Sequence, residues 1–233
     1  MKVIFHGHAC FEIQSNKGRI IIDPFLRNNP QAVSKPEDFK ELDGILITHG
    51  HSDHLGEAIE LAKNTGAVII TNFELGGYLE KFGVNVHQMH IGGKHSFHFG
   101  MIKLTTALHG SGIPLGDGTF LYGGLACGFL IGVEDKWVYH AGDTGLFGDM
   151  QLIRQQYDLE LAMLPIGDNF VMGPEDAILA AKMLRPKYII PMHYNTFPVI
   201  EQDENAFLEL LQRRVPESKG IILQAGDSYT IEK

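Results

Sequence analysis

His49-Gly50-His51-Ser52-Asp53-His54 lies between two apolar patterns of different period. Before it, residues 45–48 (Ile-Leu-Ile-Thr) form a β-rich buried run, the mark of a strand. After it, Leu55, Ala58, Ile59 and Ala62 recur at i, i+3, i+4 and i+7, and Gly66 is placed to end the helix they describe. A loop held between two rigid elements can aim its side chains at one point. A helix cap uses a single acid, so three imidazoles beside a carboxylate ask for another explanation. The loop reads as a metal-binding segment.

Outward from this loop, the chain alternates strands with helix–strand units. Strands are expected at 2–5, 10–14 and 19–22, with a tight turn at 15–18, then at 67–71, followed by a helix over 73–82. The middle is β-rich, with strands at 94–99, 102–108, 119–122, 127–133 and 136–140. A strand at 159–165 precedes a helix opened by Pro174, with Ala177, Ile178, Ala181 and Leu184 on one face. A strand at 187–191, a helix at 204–214 and short strands at 220–223 and 229–231 complete the chain. This order predicts an α/β (α+β) fold of two halves, each a sheet with helices on one face, packed sheet to sheet. The 233 residues fit a single domain, 1–233.

Composition narrows the function. The net charge of −9 disfavours a nucleic-acid coat protein, which needs clustered cations, though not a nuclease that uses metal ions as its positive charge. The two cysteines, Cys10 and Cys127, lie far apart with no CxxC spacing, so a disulfide scaffold and a cysteine zinc finger are excluded. The longest nearly apolar run, 125–133, falls far short of the ~18 residues of a membrane span. His6 and His8 break the N-terminal apolar run, a poor signal peptide, and a cytoplasmic protein is expected. No GxSxG, GxxxxGK[ST] or GxGxxG occurs, which argues against a serine hydrolase, a P-loop ATPase and a Rossmann dehydrogenase.

Further candidates stand just beyond apolar strands and beside turn residues: His109 in HGSG, Asp143 in HAGDTG and His193 in PMHYNTFP. With Asp23 in IIIDPF and the HGHSDH loop, these five ordered motifs resemble the metallo-β-lactamase superfamily over the whole chain. GHACF at 7–11 and PIGDNFVMGPEDA at 165–177 are most similar to its branch of metal-dependent hydrolases related to L-ascorbate-6-phosphate lactonase. The resemblance implies a four-layer αββα sandwich and two divalent ions, zinc first, with Mn, Ni or Fe compatible. It implies that His49, His51 and His109 hold one ion, that Asp53, His54 and His193 hold the other, and that Asp143 bridges them. His51 occupies a position where the flavodiiron branch carries Glu, which points to hydrolysis over oxygen reduction.

The supporting residues carry two readings each. Asp23 is expected to orient a ligand histidine or the HGHSDH loop, or else to shape the turn before Pro24. His8 is expected near the metals, as a further ligand or a proton donor, or else as an ordinary loop histidine. Asp168 would contact substrate or protonate the leaving group, or else cap the 169–174 loop. His140 is expected in the core or behind the ligands, and Asn195 and Thr196 are expected to shape the turn after His193 or else to line the pocket. His87, His90, His95 and His98 have no ligand spacing. The function expected is attack by a hydroxide bridging two metal ions on a small-molecule ester, namely a lactone, phosphoester or phosphodiester. Asp53, His8 and Asp168 are its candidate catalytic residues. The alternatives are a nuclease or phosphodiesterase on single-stranded or cyclic nucleotides, and a non-catalytic metal-binding protein. A diiron redox protein would need a flavin partner domain that this chain lacks. A homo-oligomer is compatible with the sequence and a membrane partner is not. Loops 25–40 and 113–118 are expected to set specificity.

Overall fold

The computed structural model describes residues 1–232. The chain opens with an antiparallel meander, β1 (Lys2–Gly7), β2 (Cys10–Ser15) and β3 (Gly18–Ile22), in which Phe11 faces Ile22 and Ile13 faces Ile20. Pairing then becomes parallel. β4 (Gly44–Leu46) leads through α1 (Ser52–Leu55) and α2 (Ala58–Thr65) to β5 (Val68–Asn72), and α3 (Phe73–Leu79) leads on to β6 (Val86–Met89). The second half repeats the scheme. β7 (Lys94–Phe97) and β8 (Gly100–Thr106) come first, then a small hairpin of β9 (Gly112–Pro114) and β10 (Phe120–Tyr122). β11 (Cys127–Val133) and β12 (Lys136–His140) complete the antiparallel part. α4 (Met150–Gln156), β13 (Leu159–Pro165), α5 (Pro174–Leu184), β14 (Tyr188–Met192), α6 (Glu204–Arg214) and β15 (Lys219–Gly220) follow as parallel crossovers. β16 (Ser228–Thr230) returns to pair antiparallel with β1. The two large sheets run β16-β1-β2-β3-β4-β5-β6 and β15-β14-β13-β12-β11-β8-β7.

Side chains alternate across a strand, and that alternation assigns the layers. Ile20, Ile22, Leu46 and Ile70 of the first sheet join a cluster with Leu104, Phe129 and Ile131 of the second. Their neighbours Ile21, Ile45, Ile47 and Ile69 point the other way, onto Leu61 of α2 and Leu75 of α3. Ala177 and Ile178 of α5 and Phe207 of α6 cover the far side of the second sheet. The result is the four-layer αββα sandwich that the sequence pattern predicts. Burying a Phe or Ile side chain contributes about 1.5–3 kcal/mol, so this double core is where most of the stability resides.

Three features differ from expectation. The helix after HGHSDH is two helices, broken at Gly56, whose φ is +42°. A Cβ at that position would collide with the Pro24 carbonyl, which accepts the Glu57 N–H at 2.9 Å. The break therefore docks the metal loop against the turn after β3. Helix α4 was not expected, because only Met150 and Ile153 of its seven residues are buried and no stripe shows. Edge strand β6 and the three-residue β9 were likewise too short and too open to show an alternation. Among the described residues, no helix is long and apolar enough to cross a membrane.

Candidate metal centre

The candidate ligands gather where strands end. His49 lies three residues past β4, His109 three past β8, Asp143 three past β12 and His193 one past β14. His8 follows β1 and Asp23 follows β3 directly. The carboxyl ends of strands in both sheets thus meet at one edge of the sandwich, the usual place for a site in such folds. His8, Asp23 and His193 hold φ values of +58°, +46° and +57°, which turn the chain sharply at each strand end. Left-handed backbone in non-glycine residues persists only where the surroundings enforce it.

Asp143 is the centre of the arrangement. Its Oδ2 lies 3.0 Å from His193 Nε2, 3.2 Å from His54 Nε2, 3.4 Å from His109 Nε2 and 4.0 Å from His49 Nε2. Two groups flank it. His49, His51 and His109 converge on one side, and His8, Asp53, His54 and His193 on the other. Asp143 and most of the imidazoles are buried, whereas His51, Asp53 and His109 are partly exposed and mark the open side.

Behind the ligands, Asp23 fixes two imidazoles. It is fully buried and accepts from Thr48 N at 2.8 Å, Thr48 Oγ1 at 2.7 Å and His54 Nδ1 at 2.8 Å. Because the Thr48 hydroxyl donates to Asp23, it accepts from His49 Nδ1 at 2.9 Å. Both histidines therefore carry the proton on Nδ1 and turn Nε2 to the centre, as outer partners of metal ligands typically arrange.

The electrostatics follow. Burial and His54 hold His49 well below the usual histidine range. Burial opposes charge on His54, but Asp143 and Asp23 outweigh it and raise its pKa well above the ordinary value. Burial would likewise raise Asp143, but His193 and His54 hold it well below the carboxylate range. In the metal-free protein His54 thus takes a proton in the place where a cation fits.

The donor set suits metal. His54 Nε2, Asp143 Oδ1 and His193 Nδ1 are buried with no hydrogen-bond partner among the described residues. Buried polar atoms are normally satisfied, and the bare His54 Nε2 and Asp143 Oδ1 at an imidazole-lined centre are what a cation would satisfy.

The comparisons agree with this geometry. The family model for the beta-lactamase superfamily domain matches residues 18–194. The chain is a member of the β-lactamase superfamily. A metal-dependent hydrolase of Desulfitobacterium hafniense is 60% identical over 99% of both chains. A second, from Bacillus cereus, is 53% identical over 99% of this chain and 100% of its own. The solved structure of a metallo hydrolase from the archaeon Ignicoccus hospitalis superposes with a TM-score of 0.89 at 36% identity, covering 100% of this chain and 98% of the other. The protein is thus a metal-dependent hydrolase of that superfamily.

Of the residues named from sequence, the superfamily fold brings His49, His51, Asp53, His54, His109, Asp143, His193 and His8 together, with Asp23 directly behind them. His140 stays outside. Its Nε2 donates to the Ala9 carbonyl at 2.9 Å and its Nδ1 accepts from Gly142 N at 3.1 Å, which ties the His8 loop to the Asp143 loop. Asp168 is exposed and outside the cluster; its carboxylate accepts from Asn169 N at 3.0 Å and shapes the turn ahead of α5. That placement fits the loop-capping reading of Asp168 and leaves it without a contact to the ligands. Sequence reasoning missed Thr48 and Gln31. Gln31 sits in a stretch without periodicity, and its partners are remote in sequence, so no local signal marks it.

A cleft of about 660 Å³ opens beside Asp53, with Phe25, Asn28, Tyr78, Ile113 and Phe197 among its walls. Both loops expected to set specificity contribute to it. None of the residues lining it is Lys or Arg.

Proposed function

We propose that this protein is a cytoplasmic hydrolase of small neutral esters, lactones foremost, that works with two divalent ions. His49, His51 and His109 would hold one ion, Asp53, His54 and His193 the other, and Asp143 would lie between. The observation that carries the reading is the approach of four imidazole Nε2 atoms to one Asp143 oxygen, at 3.0–4.0 Å. Such a pair supplies a nucleophile at neutral pH, by lowering the pKa of water from 15.7 towards ~7, and polarises a carbonyl. The protein's part is to hold the centre and shape its approach. Asp23 and Thr48 lock two imidazoles in the tautomer that binds metal. The nitrogen-rich donor set suits zinc, and the carboxylates also accept Mn, Ni or Fe.

The cleft supports the substrate class. Its walls combine aromatic and aliphatic side chains with the neutral Asn28 and Ser52 and the carboxylates of Asp53 and Glu57. A phosphodiester would bring negative charge past Glu57 with only the ions to meet it, whereas a lactone or simple ester brings none. The two cysteines are free and buried, in keeping with a reducing compartment.

The zinc-loaded protein should be assayed against a γ-lactone, p-nitrophenyl acetate and bis-p-nitrophenyl phosphate. Turnover of the lactone or the ester, lost in Asp143→Ala with the fold retained, supports the proposal. Turnover of the phosphodiester alone would contradict the substrate class.

A further inference from the structure

We propose that His8 is an eighth protein ligand of the centre, holding the second ion together with Asp53, His54 and His193. The proposal rests on the two-ion reading above and assigns His8 a role other than that of a proton donor.

Proximity comes first. One nitrogen of His8 lies within a mutual 4.8 Å of a carboxylate oxygen of Asp53 and a nitrogen each of His54 and His193. Its Nε2 faces Asp53 Oδ2 at 3.2 Å, and its ring lies against that of His193 with centroids 4.0 Å apart. The side chain is fully buried, between Phe25 and Phe197, and its backbone carbonyl accepts from His193 N at 2.7 Å. Ligand loops from β1 and β14 are thereby pinned to each other.

The hydrogen-bond network then decides which ring nitrogen carries the proton. Gln31 is oriented by two backbone groups whose roles are fixed. The His8 N–H must donate, at 2.9 Å, so the Gln31 atom there is the oxygen. The Tyr194 carbonyl must accept, at 3.1 Å, so the Gln31 atom there is the nitrogen. Thr196 Oγ1 has one proton to donate, and that same Gln31 oxygen at 3.2 Å and the Tyr194 carbonyl at 3.5 Å are both acceptors for it. Thr196 must then accept from His8 Nδ1, at 2.8 Å. The reverse arrangement would set two acceptor oxygens facing each other at 3.2 Å with no hydrogen between them. With a cation between His8 Nε2 and Asp53 Oδ2, which stand 3.2 Å apart, the arrangement free of facing acceptors is the one with the His8 proton on Nδ1 and the Nε2 lone pair towards the Asp53 carboxylate. A lone pair beside a carboxylate is repulsive in an empty site and is what a cation between them needs. Thr48 and Asp23 arrange His49 in the same way.

The assignment makes the two ions unequal. The second has four side chains of its own, three of them buried imidazoles, besides its share of Asp143. The first has three, two of which, His51 and His109, are partly exposed. The first ion is the one with room for substrate, and a chelator should remove it first.

The direct test is zinc binding by calorimetry and native mass spectrometry, on the full chain and on His8→Asn. Asparagine keeps a donor near the Nδ1 position for Thr196 and deletes the Nε2 ligand. Two ions on the wild type, with the second weakened at least tenfold in His8→Asn and the first retained, support the assignment. Thr196→Val, which removes the orienting partner and leaves the ligand, should weaken the second ion less than His8→Asn does. A measurement that needs no variant uses cadmium-113 with nitrogen-15-labelled histidine. Three imidazoles should couple to each cadmium, the second set being His8, His54 and His193. Two couplings on the second cadmium, or wild-type affinity for both ions in His8→Asn, overturn the role of His8 and leave the two-ion reading standing. A wild type that binds a single ion overturns both.

Discussion

One carboxylate oxygen among four imidazoles is stable only if the charges around it are matched. Asp143 is buried and held ionised by His193 and His54, so its removal leaves imidazoles that nothing joins. Asp143→Ala should lower turnover at least a hundredfold with the circular dichroism spectrum unchanged, since even loss of an outer partner costs 10–100-fold. Asp23→Asn keeps a residue that tolerates φ +46° but replaces an acceptor of three hydrogen bonds with a group that can no longer accept them all. Its metal affinity should fall roughly 10–100-fold, measured by competition with a chromophoric chelator. Protons compete for the same place. The His54 pKa is raised well above its usual value by Asp143 and Asp23 against the opposing effect of burial, so metal binding at neutral pH must displace its proton. Affinity should therefore fall as pH drops, and titration in weak buffer should show acid release. At this scale the HGHSDH loop was legible because its four chemical groups are neighbours in sequence. The Gln31–Thr196–His8 chain was not, because Gln31 and Thr196 stand 23 and 188 residues from His8 and carry no ligand chemistry of their own.

Elements carry these residues to the centre, and two junctions matter most. Gly56 lets the chain break between α1 and α2 and close on Pro24. Gly56→Ala adds a methyl group against a carbonyl and a strained φ, so it should cost about 1–3 kcal/mol in urea unfolding and weaken metal binding with it. The second junction is the meander. Glu12 of β2 is buried and accepts from Arg19, His6 and Gln14. Burial alone would raise its pKa, but the bonds from His6 and Arg19 outweigh it and set it at about 2. A depressed carboxylate stabilises the fold fully above its unfolded value of 4.5, and that contribution is lost as pH falls through about 2. Glu12→Gln should cost about 2 kcal/mol at pH 7 and flatten the loss of stability between pH 4.5 and 2, read from denaturation at each pH. Alternation in β2 and near-continuous apolar runs in β3, β11 and β13 made these strands readable from sequence. The helix break was not readable, because the Leu55–Ala62 stripe continues through it and only the collision with Pro24 stops the helix.

For the whole molecule, the order of strand and helix–strand units was enough to predict two sheets packed face to face, since each sheet has two apolar faces to cover. Metal removal is a test at this scale. The candidate ligands come from loops of both sheets, so a metal they hold would bind the folded state and not the unfolded chain. At a free concentration one hundred times the dissociation constant such binding contributes about 2.7 kcal/mol, and chelation should lower the melting temperature accordingly. The measurement closest to the central claim is the metal content of the chain after zinc reconstitution and removal of excess, by elemental analysis against protein concentration. Close to two ions per chain is the expected result, falling in Asp143→Ala. One ion or none per wild-type chain would contradict a centre built around Asp143.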